Sequence, residues 1–127
     1  MAVTEAVENY LEAILVLKRK QPDVHAIDIC NYFNYSRPTV SVALKQMKDK
    51  GFILVNGENH ISLTDEGLEV AERIYERHTI LSKMLVSIGV SEATALEDAC
   101  KIEHDLSDET FQCIKKHFDE RMAKEQK

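Results

Sequence analysis

The spacing of apolar residues changes at Gly51, and this change restricts the fold of the 127-residue chain more than any other feature. Before Gly51, apolar residues such as Val40 and Met47 recur at the spacing of one helix face. After it, residues 52–55 and 60–63 are short strand-like runs, separated by a turn-forming Asn-Gly-Glu-Asn segment. The pattern therefore predicts a helix followed directly by a β-hairpin.

A second short helix is predicted just before this one. Residues 26–33 carry apolar side chains at helical spacing, and Asn34 tolerates the left-handed backbone that ends many helices. Ser36 suits the N-cap of the next helix, and Pro38 suits its first turn, where no backbone N–H is needed. Two short helices joined by a tight turn form a helix-turn-helix, and the hairpin behind them completes a winged helix.

The rest of the chain is predicted to be helical, because only four glycines and two prolines interrupt it. N-caps and apolar spacing indicate helices at residues 4–19, 64–89, 91–105 and from 107 onward. The predicted fold class is mostly α with a small β-hairpin, in which a winged helix-turn-helix is followed by a helical region.

The charge distribution is uneven along the chain. The formal net charge of −6 disfavours a nucleic-acid partner at first sight. Residues 36–50, however, contain four bases and one acid, whereas residues 69–127 contain nine bases and thirteen acids. Phosphate binding depends on the local basic stripe rather than on the total, so the second helix of the helix-turn-helix stays a candidate DNA-binding element.

In a helix-turn-helix, the first residues of the second helix contact base edges in the major groove. Arg37 can pair with guanine, Thr39 can contact a thymine methyl or a phosphate, and basic residues further along can reach phosphates. Double-stranded DNA is therefore the predicted partner, with candidate contacts at Ser36, Arg37, Thr39, Val40, Ser41, Lys45 and Lys48. A helix-turn-helix can also serve as a packing or protein-contact module, and this alternative stays open.

A second group of residues has the chemistry of a metal site. Cys100, Glu103 and His104 are spaced so that their side chains share one face of a predicted helix. Thiolate, imidazole and carboxylate groups together suit a divalent transition-metal ion better than Ca²⁺ or Mg²⁺. Taken singly, each residue also fits an ordinary role, as a buried thiol, a solvated acid or a core histidine.

These residues lie in segments that resemble a known family. Residues 99–104, Ala-Cys-Lys-Ile-Glu-His, resemble the metal-binding signature of the diphtheria-toxin-repressor and manganese-transport-regulator family. Further similar segments lie at 8–14, 36–44, 61–64, Gly67 and 77–78. The resemblance implies a homodimeric winged-helix repressor that binds palindromic operator DNA when it is loaded with Fe²⁺ or Mn²⁺. The length resembles that of the short family form, which lacks an SH3-like domain.

The resemblance also implies domains and ligands. It implies a DNA-binding domain at residues 1–70 and a helical dimerisation and metal-binding domain at 71–127. The implied metal ligands are Asn9, Glu12, His78, Cys100, Glu103 and His104.

Three positions depart from one or other branch of the family. Asn9 stands where the manganese branch has Asp and the iron branch has Met. Cys100 matches the iron branch, and its thiolate favours Fe²⁺ over Mn²⁺ on softness. Ser82 stands where some iron-branch relatives have an acidic ligand of a second site, so a copy of that second site is not expected.

The sequence also predicts several absences. No apolar run approaches the roughly 18 residues needed to span a bilayer, and the N-terminus lacks a signal-peptide pattern. Three scattered cysteines make no disulfide framework, so we expect a cytoplasmic protein without a membrane partner. Cys100 near His104 suggests a thiol nucleophile, but no glycine-rich turn or oxyanion donor accompanies it, so neither an enzyme nor a small organic substrate is expected. The alternative function is a winged-helix regulator that responds to an organic ligand.

Overall fold

The computed structural model describes residues 4–125, with side chains described for residues 4–123. The fold is mostly helical with one antiparallel hairpin, as predicted. Its elements are α1 (Glu5–Lys20), α2 (Ala26–Phe33), α3 (Arg37–Asp49), β1 (Ile53–Val55), β2 (Ile61–Leu63), α4 (Asp65–Ser87), α5 (Glu92–Ile102) and α6 (Asp108–Glu125). The chain forms two compact units that divide within α4, between Arg73 and Ile74.

The tight turn between α2 and α3 follows from its local chemistry. Asn34 ends α2 in the left-handed conformation, with φ 60° and ψ 44°. Ser36 then caps α3, because its Oγ accepts a hydrogen bond from the Thr39 N–H at 3.4 Å. Pro38 lies in the first turn of α3, where a missing N–H is tolerated. The predicted helix-turn-helix is confirmed.

The hairpin is short and its turn is held by Asn56. Antiparallel pairing joins Ile53 to Leu63 and Val55 to Ile61. The Asn56 side-chain oxygen accepts hydrogen bonds from the N–H groups of residues 58 and 60, both at 2.9 Å. Asn59 adopts a positive φ of 63°. Both predicted strands are therefore present, although each begins one residue later than the sequence pattern indicated.

The start of α4 packs closely against the residue that enters the hairpin. Thr64 Oγ1 donates a hydrogen bond to the Gly51 carbonyl at 2.6 Å and accepts one from the Gly67 N–H at 3.1 Å. A Cβ atom at Gly67 would lie 2.0 Å from the Phe52 carbonyl oxygen. Glycine is therefore required here by the close approach of two backbone segments.

The core of the first unit joins its three helices to the hairpin. The Ile61 N–H donates to the Val24 carbonyl at 2.8 Å, which fixes β2 against the α1–α2 connection. The rings of Tyr10 and Phe33 pack edge to face, with centroids 5.2 Å apart. Burial raises the pKa of Tyr10 above its ordinary value. Further completely buried side chains are Leu11, Ile14, Ile29, Val40, Met47 and Ile53.

The second unit contains the end of α4 and the helices α5 and α6. Its buried apolar side chains include Ile74, Leu81, Ala95, Ala99 and Phe111. Ser91 caps α5 as predicted, because its Oγ accepts from the Thr94 N–H. The helix ends at Ile102, three residues earlier than predicted, and Glu103 is its C-cap. Within residues 4–125, no helix is long and apolar enough to cross a membrane.

Candidate metal centre and nucleic-acid interface

Helix α3 presents most of the predicted DNA contacts to solvent. Exposed side chains are those of Ser36, Arg37, Thr39, Ser41, Lys45 and Lys48. The Ser36 and Thr39 hydroxyls lie 2.8 Å apart and hydrogen-bond to each other at the N-terminus of the helix. The basic residues of this surface are therefore displayed on a capped, well-formed helix.

One predicted contact on α3 is wrong. Val40 is completely buried, as is Met47 on the same face, so neither side chain can reach a base. The exposed valine of the helix is Val42, which is 59% exposed. Val40 was assigned to DNA because it lies near the start of the helix. Its apolar spacing with Met47 already indicated a position in the core.

A cleft of about 410 Å³ is bordered by the start of α2, by α3 and by the hairpin. Arg37 and Ser41 line it from the helix, and Glu58 and Asn59 line it from the hairpin turn. Helix α3 and the hairpin, which correspond to the recognition helix and the wing of a winged helix, thus border a common concave surface. Glu58 brings an acidic group to that surface, where it opposes the attraction of phosphate.

In the second unit, a carboxylate lies between two imidazole rings. His78 Nδ1 is 3.0 Å from Glu103 Oε2, and His104 Nε2 is 3.4 Å from Glu103 Oε1. Glu103 is completely buried, and the side chain of His104 is only 2% exposed. His78 and Glu103 are 25 residues apart in the sequence and are in direct contact in the fold.

The residues of this cluster fit a divalent cation. Burying a carboxylate is unfavourable unless a positive charge and hydrogen bonds compensate it. Glu103 Oε1 is buried and accepts no hydrogen bond in the part of the chain that the structure describes. Imidazole nitrogen and carboxylate oxygen are together suitable ligands for Fe²⁺, Mn²⁺ and similar ions. A bound cation would thus supply the positive charge that compensates the burial of this carboxylate.

Arg77 holds the turn that carries Glu103 and His104. Its Nη1 donates to the backbone carbonyls of Glu103, at 3.0 Å, and Leu106, at 2.8 Å. Its Nη2 donates to the Asp108 carboxylate at the start of α6. The guanidinium also lies over the Phe111 ring, 5.2 Å from its centroid. The only sequence signal for this role is the position of Arg77 beside His78.

The other candidate ligands lie on α1 and α5. Cys100 is exposed on α5. Asn9 and Glu12 are half-buried on α1 in the first unit. Helix α5 ends at Ile102, so that Glu103 is its C-cap and His104 follows in a turn. The assignment of Asn9, Glu12 and Cys100 as ligands stays a prediction.

A winged helix with a basic recognition helix, together with a buried carboxylate–imidazole cluster, is the architecture of a DNA-binding regulator with a cation site. Comparisons with known proteins agree. The sequence profile of the iron dependent repressor, metal binding and dimerisation domain matches residues 64–123. The chain is 31% identical to an HTH-type transcriptional regulator of Methanocaldococcus jannaschii, over 89% of this chain and 92% of the relative.

A second relative supports the same family, and a solved structure shows the same fold. The chain is 32% identical to the transcriptional regulator MntR of Escherichia coli, over 87% of this chain and 72% of that relative. The crystal structure of the metal-dependent transcriptional regulator MtsR has the same fold, with a TM-score of 0.83 and 24% identity over 89% of this chain. The matched region spans about half of that solved chain, 53%. The protein belongs to the diphtheria-toxin-repressor and manganese-transport-regulator family of metal-dependent transcriptional regulators.

Proposed function

We propose that this protein is a transcriptional repressor that binds operator DNA as a homodimer when Fe²⁺ or Mn²⁺ is bound, and so controls iron or manganese homeostasis. The observation that carries the proposal is the buried Glu103 carboxylate between His78 and His104. Family membership favours a metal over an organic ligand as the signal. The names of its relatives are those of regulators, which are typically not enzymes. We expect it to act in the cytoplasm.

The cation site is proposed to centre on the second unit. His78 and His104 would offer ring nitrogens, and Glu103 would offer a carboxylate oxygen. Bound there, Fe²⁺ or Mn²⁺ supplies positive charge that offsets the burial of Glu103. The resemblance adds Asn9, Glu12 and Cys100 to the proposed ligand set, with Cys100 favouring Fe²⁺ over Mn²⁺.

Operator binding is proposed to use α3 and the wing. Arg37 and Ser41 would face base edges, whereas Lys45 and Lys48 would contact phosphates. A homodimer presents two such helices to half-sites about one helical turn of DNA apart, so the operator is expected to be palindromic. Cation binding that favours one arrangement of the dimer thereby changes the affinity for DNA.

The test is fluorescence anisotropy with a labelled duplex, selected from a random-sequence library by the Mn²⁺-saturated protein. Titrations are run with a chelator and with Fe²⁺ (under anaerobic conditions), Mn²⁺, Co²⁺ or Zn²⁺. We expect tight binding with Fe²⁺ or Mn²⁺, weak binding with chelator, and a steep loss of affinity with salt. Equal affinity in all conditions would overturn the proposed metal control.

Amino-acid replacements test whether the metal response depends on the proposed site. Replacing both Glu103 and His104 by alanine should abolish the metal response. The matched control is Lys115→Ala, which removes an exposed ion pair with Glu76 in the same unit and should leave the metal response unchanged. A metal response that survives the double replacement would show that the site lies elsewhere.

A further inference from the structure

Helix α3 carries an apolar side chain on the face that it turns away from the core. Val42 is 59% exposed, whereas Val40 and Met47 are completely buried. At about 100° per residue, Val42 lies roughly 140–160° around the helix axis from these two side chains. It therefore adds nothing to the core of its unit, and valine is also a poorer helix former than alanine.

A single exposed apolar residue is ordinary on a protein surface, but the surroundings of Val42 are not those of an average surface. Arg37, Lys45 and Lys48 are exposed on the same helix. Residues 36–50 contain four bases and one acid, so this surface attracts a polyanion. At about 100° per residue, Lys45 lies about 60° from Val42 around the helix axis, whereas Arg37 and Lys48 lie about 140° and 120° from it. Val42 is thus an exposed apolar group with one basic neighbour, on a helix whose net charge is complementary to DNA.

The chemistry of the major groove gives this side chain a partner. The thymine C5 methyl is the apolar group that a base pair displays there, and apolar side chains recognise it by contact. Valine has no hydrogen-bond donor or acceptor in its side chain, so it cannot replace water at the polar edges of the other bases. Early residues of a recognition helix are the ones that reach base edges.

We propose that Val42 contacts the C5 methyl of a thymine in each operator half-site and so contributes to sequence specificity. This inference rests on the proposed function, because it needs α3 to lie in the major groove. Charged neighbours give affinity for any DNA, whereas Val42 distinguishes thymine from the other bases.

The experiment removes the methyl group from either partner. The duplex selected by the Mn²⁺-saturated protein is resynthesised with deoxyuridine at one thymine position at a time, symmetrically in both half-sites. Uracil pairs like thymine but lacks the C5 methyl. Dissociation constants are measured for the wild-type protein, for Val42→Ala and for Leu68→Ala, a control at an exposed apolar residue on α4, outside the proposed DNA contacts.

We expect one thymine position at which uracil weakens wild-type binding roughly fourfold per half-site, the effect of removing about one buried methyl group. The Val42→Ala protein should bind the thymine duplex more weakly and lose its response to uracil at that position. Leu68→Ala should keep the response. Circular dichroism should show an unchanged helix content for Val42→Ala, because alanine favours the helix.

The outcomes separate this inference from the proposed function. Duplex binding with the same uracil response in the wild-type and Val42→Ala proteins would overturn the role of Val42 and leave the regulator function standing. Duplex binding without a uracil response at any position would also overturn it. Failure to select or bind any duplex, with or without metal, would overturn both.

Discussion

The Arg77 guanidinium donates a hydrogen bond to the backbone carbonyl of Glu103 at 3.0 Å. The arginine side chain is 7% exposed, and the same nitrogen also donates to the Leu106 carbonyl. Its charge is thus directed to the main chain of the turn and to Asp108, while the Glu103 side chain faces the imidazoles. Arg77 therefore fixes where the Glu103 carboxylate lies without occupying its oxygens.

Replacing Arg77 by lysine should weaken cation binding. Lysine keeps the charge but lacks the planar fork that donates in several fixed directions, so the turn loses part of its support. Changes of groups that orient metal ligands typically reduce affinity about 10–100-fold. Binding of Mn²⁺ can be followed by electron paramagnetic resonance of the free ion. Lys115→Met, which removes the exposed pair with Glu76, is the control, and an equal effect of both changes would contradict the role of Arg77.

Replacing Glu103 by glutamine should separate stability from metal binding. The change removes a buried charge, so the cation-free protein should melt at the same temperature as the wild type or higher. Metal ions at 100 times the dissociation constant should stabilise the wild type by about 2.7 kcal/mol and leave the variant unaffected. Thermal denaturation with and without Mn²⁺ measures both effects. Similar metal-induced shifts in the two proteins would exclude Glu103 as a ligand.

Replacing Gly67 by alanine should destabilise the first unit. Its Cβ would lie 2.0 Å from the Phe52 carbonyl oxygen, and a backbone atom cannot move aside cheaply. We expect a loss of about 1–3 kcal/mol in the free energy of unfolding, despite the better helix propensity of alanine. Gly57→Ala is the control, because a Cβ there meets nothing within 4 Å. Urea unfolding should show the two variants far apart, and equal midpoints would refute the steric argument.

The buried phenol of Tyr10 should make the fold sensitive to alkaline pH. Burial raises the pKa of Tyr10 above 10.0, so the folded state favours the neutral phenol. Its contribution to stability is complete below pH about 10 and is lost as the pH rises through the raised pKa. Tyr10→Phe should reduce this alkaline loss in urea unfolding measured across that range. Tyr32→Phe, at a residue 47% exposed, is the control and should retain it.

Much of the fold could be predicted because its helix caps and turns are determined by neighbouring residues. Asn34 reverses the chain in the left-handed conformation, and Ser36 and Ser91 cap the helices that follow them. Such features depend on residues within a few positions of one another, which a sequence displays directly. The end of α5 could not be predicted in this way, because Arg77, 26 positions from Glu103, holds the turn that follows the helix.

The residue types of the candidate site could be predicted better than its geometry. His78, Glu103 and His104 were selected by residue type and resemblance, whereas the end of α5 at Ile102, ahead of Glu103 and His104, was not predicted. On α3, Val40 was assigned both to the apolar pattern and to DNA. A side chain cannot serve the core and the solvent together, and the structure places Val40 in the core.

The hydrogen bonds of Arg77 to the carbonyls of Glu103 and Leu106 have an evolutionary consequence. A main-chain carbonyl is present whatever side chain a residue carries. Leu106 can therefore be replaced in related proteins without loss of that bond, whereas replacement of Arg77 removes the donor to both carbonyls at once. The shape of the turn depends on Arg77, a residue on another helix. Sequence changes within the turn are therefore a poor guide to whether a related protein retains that shape.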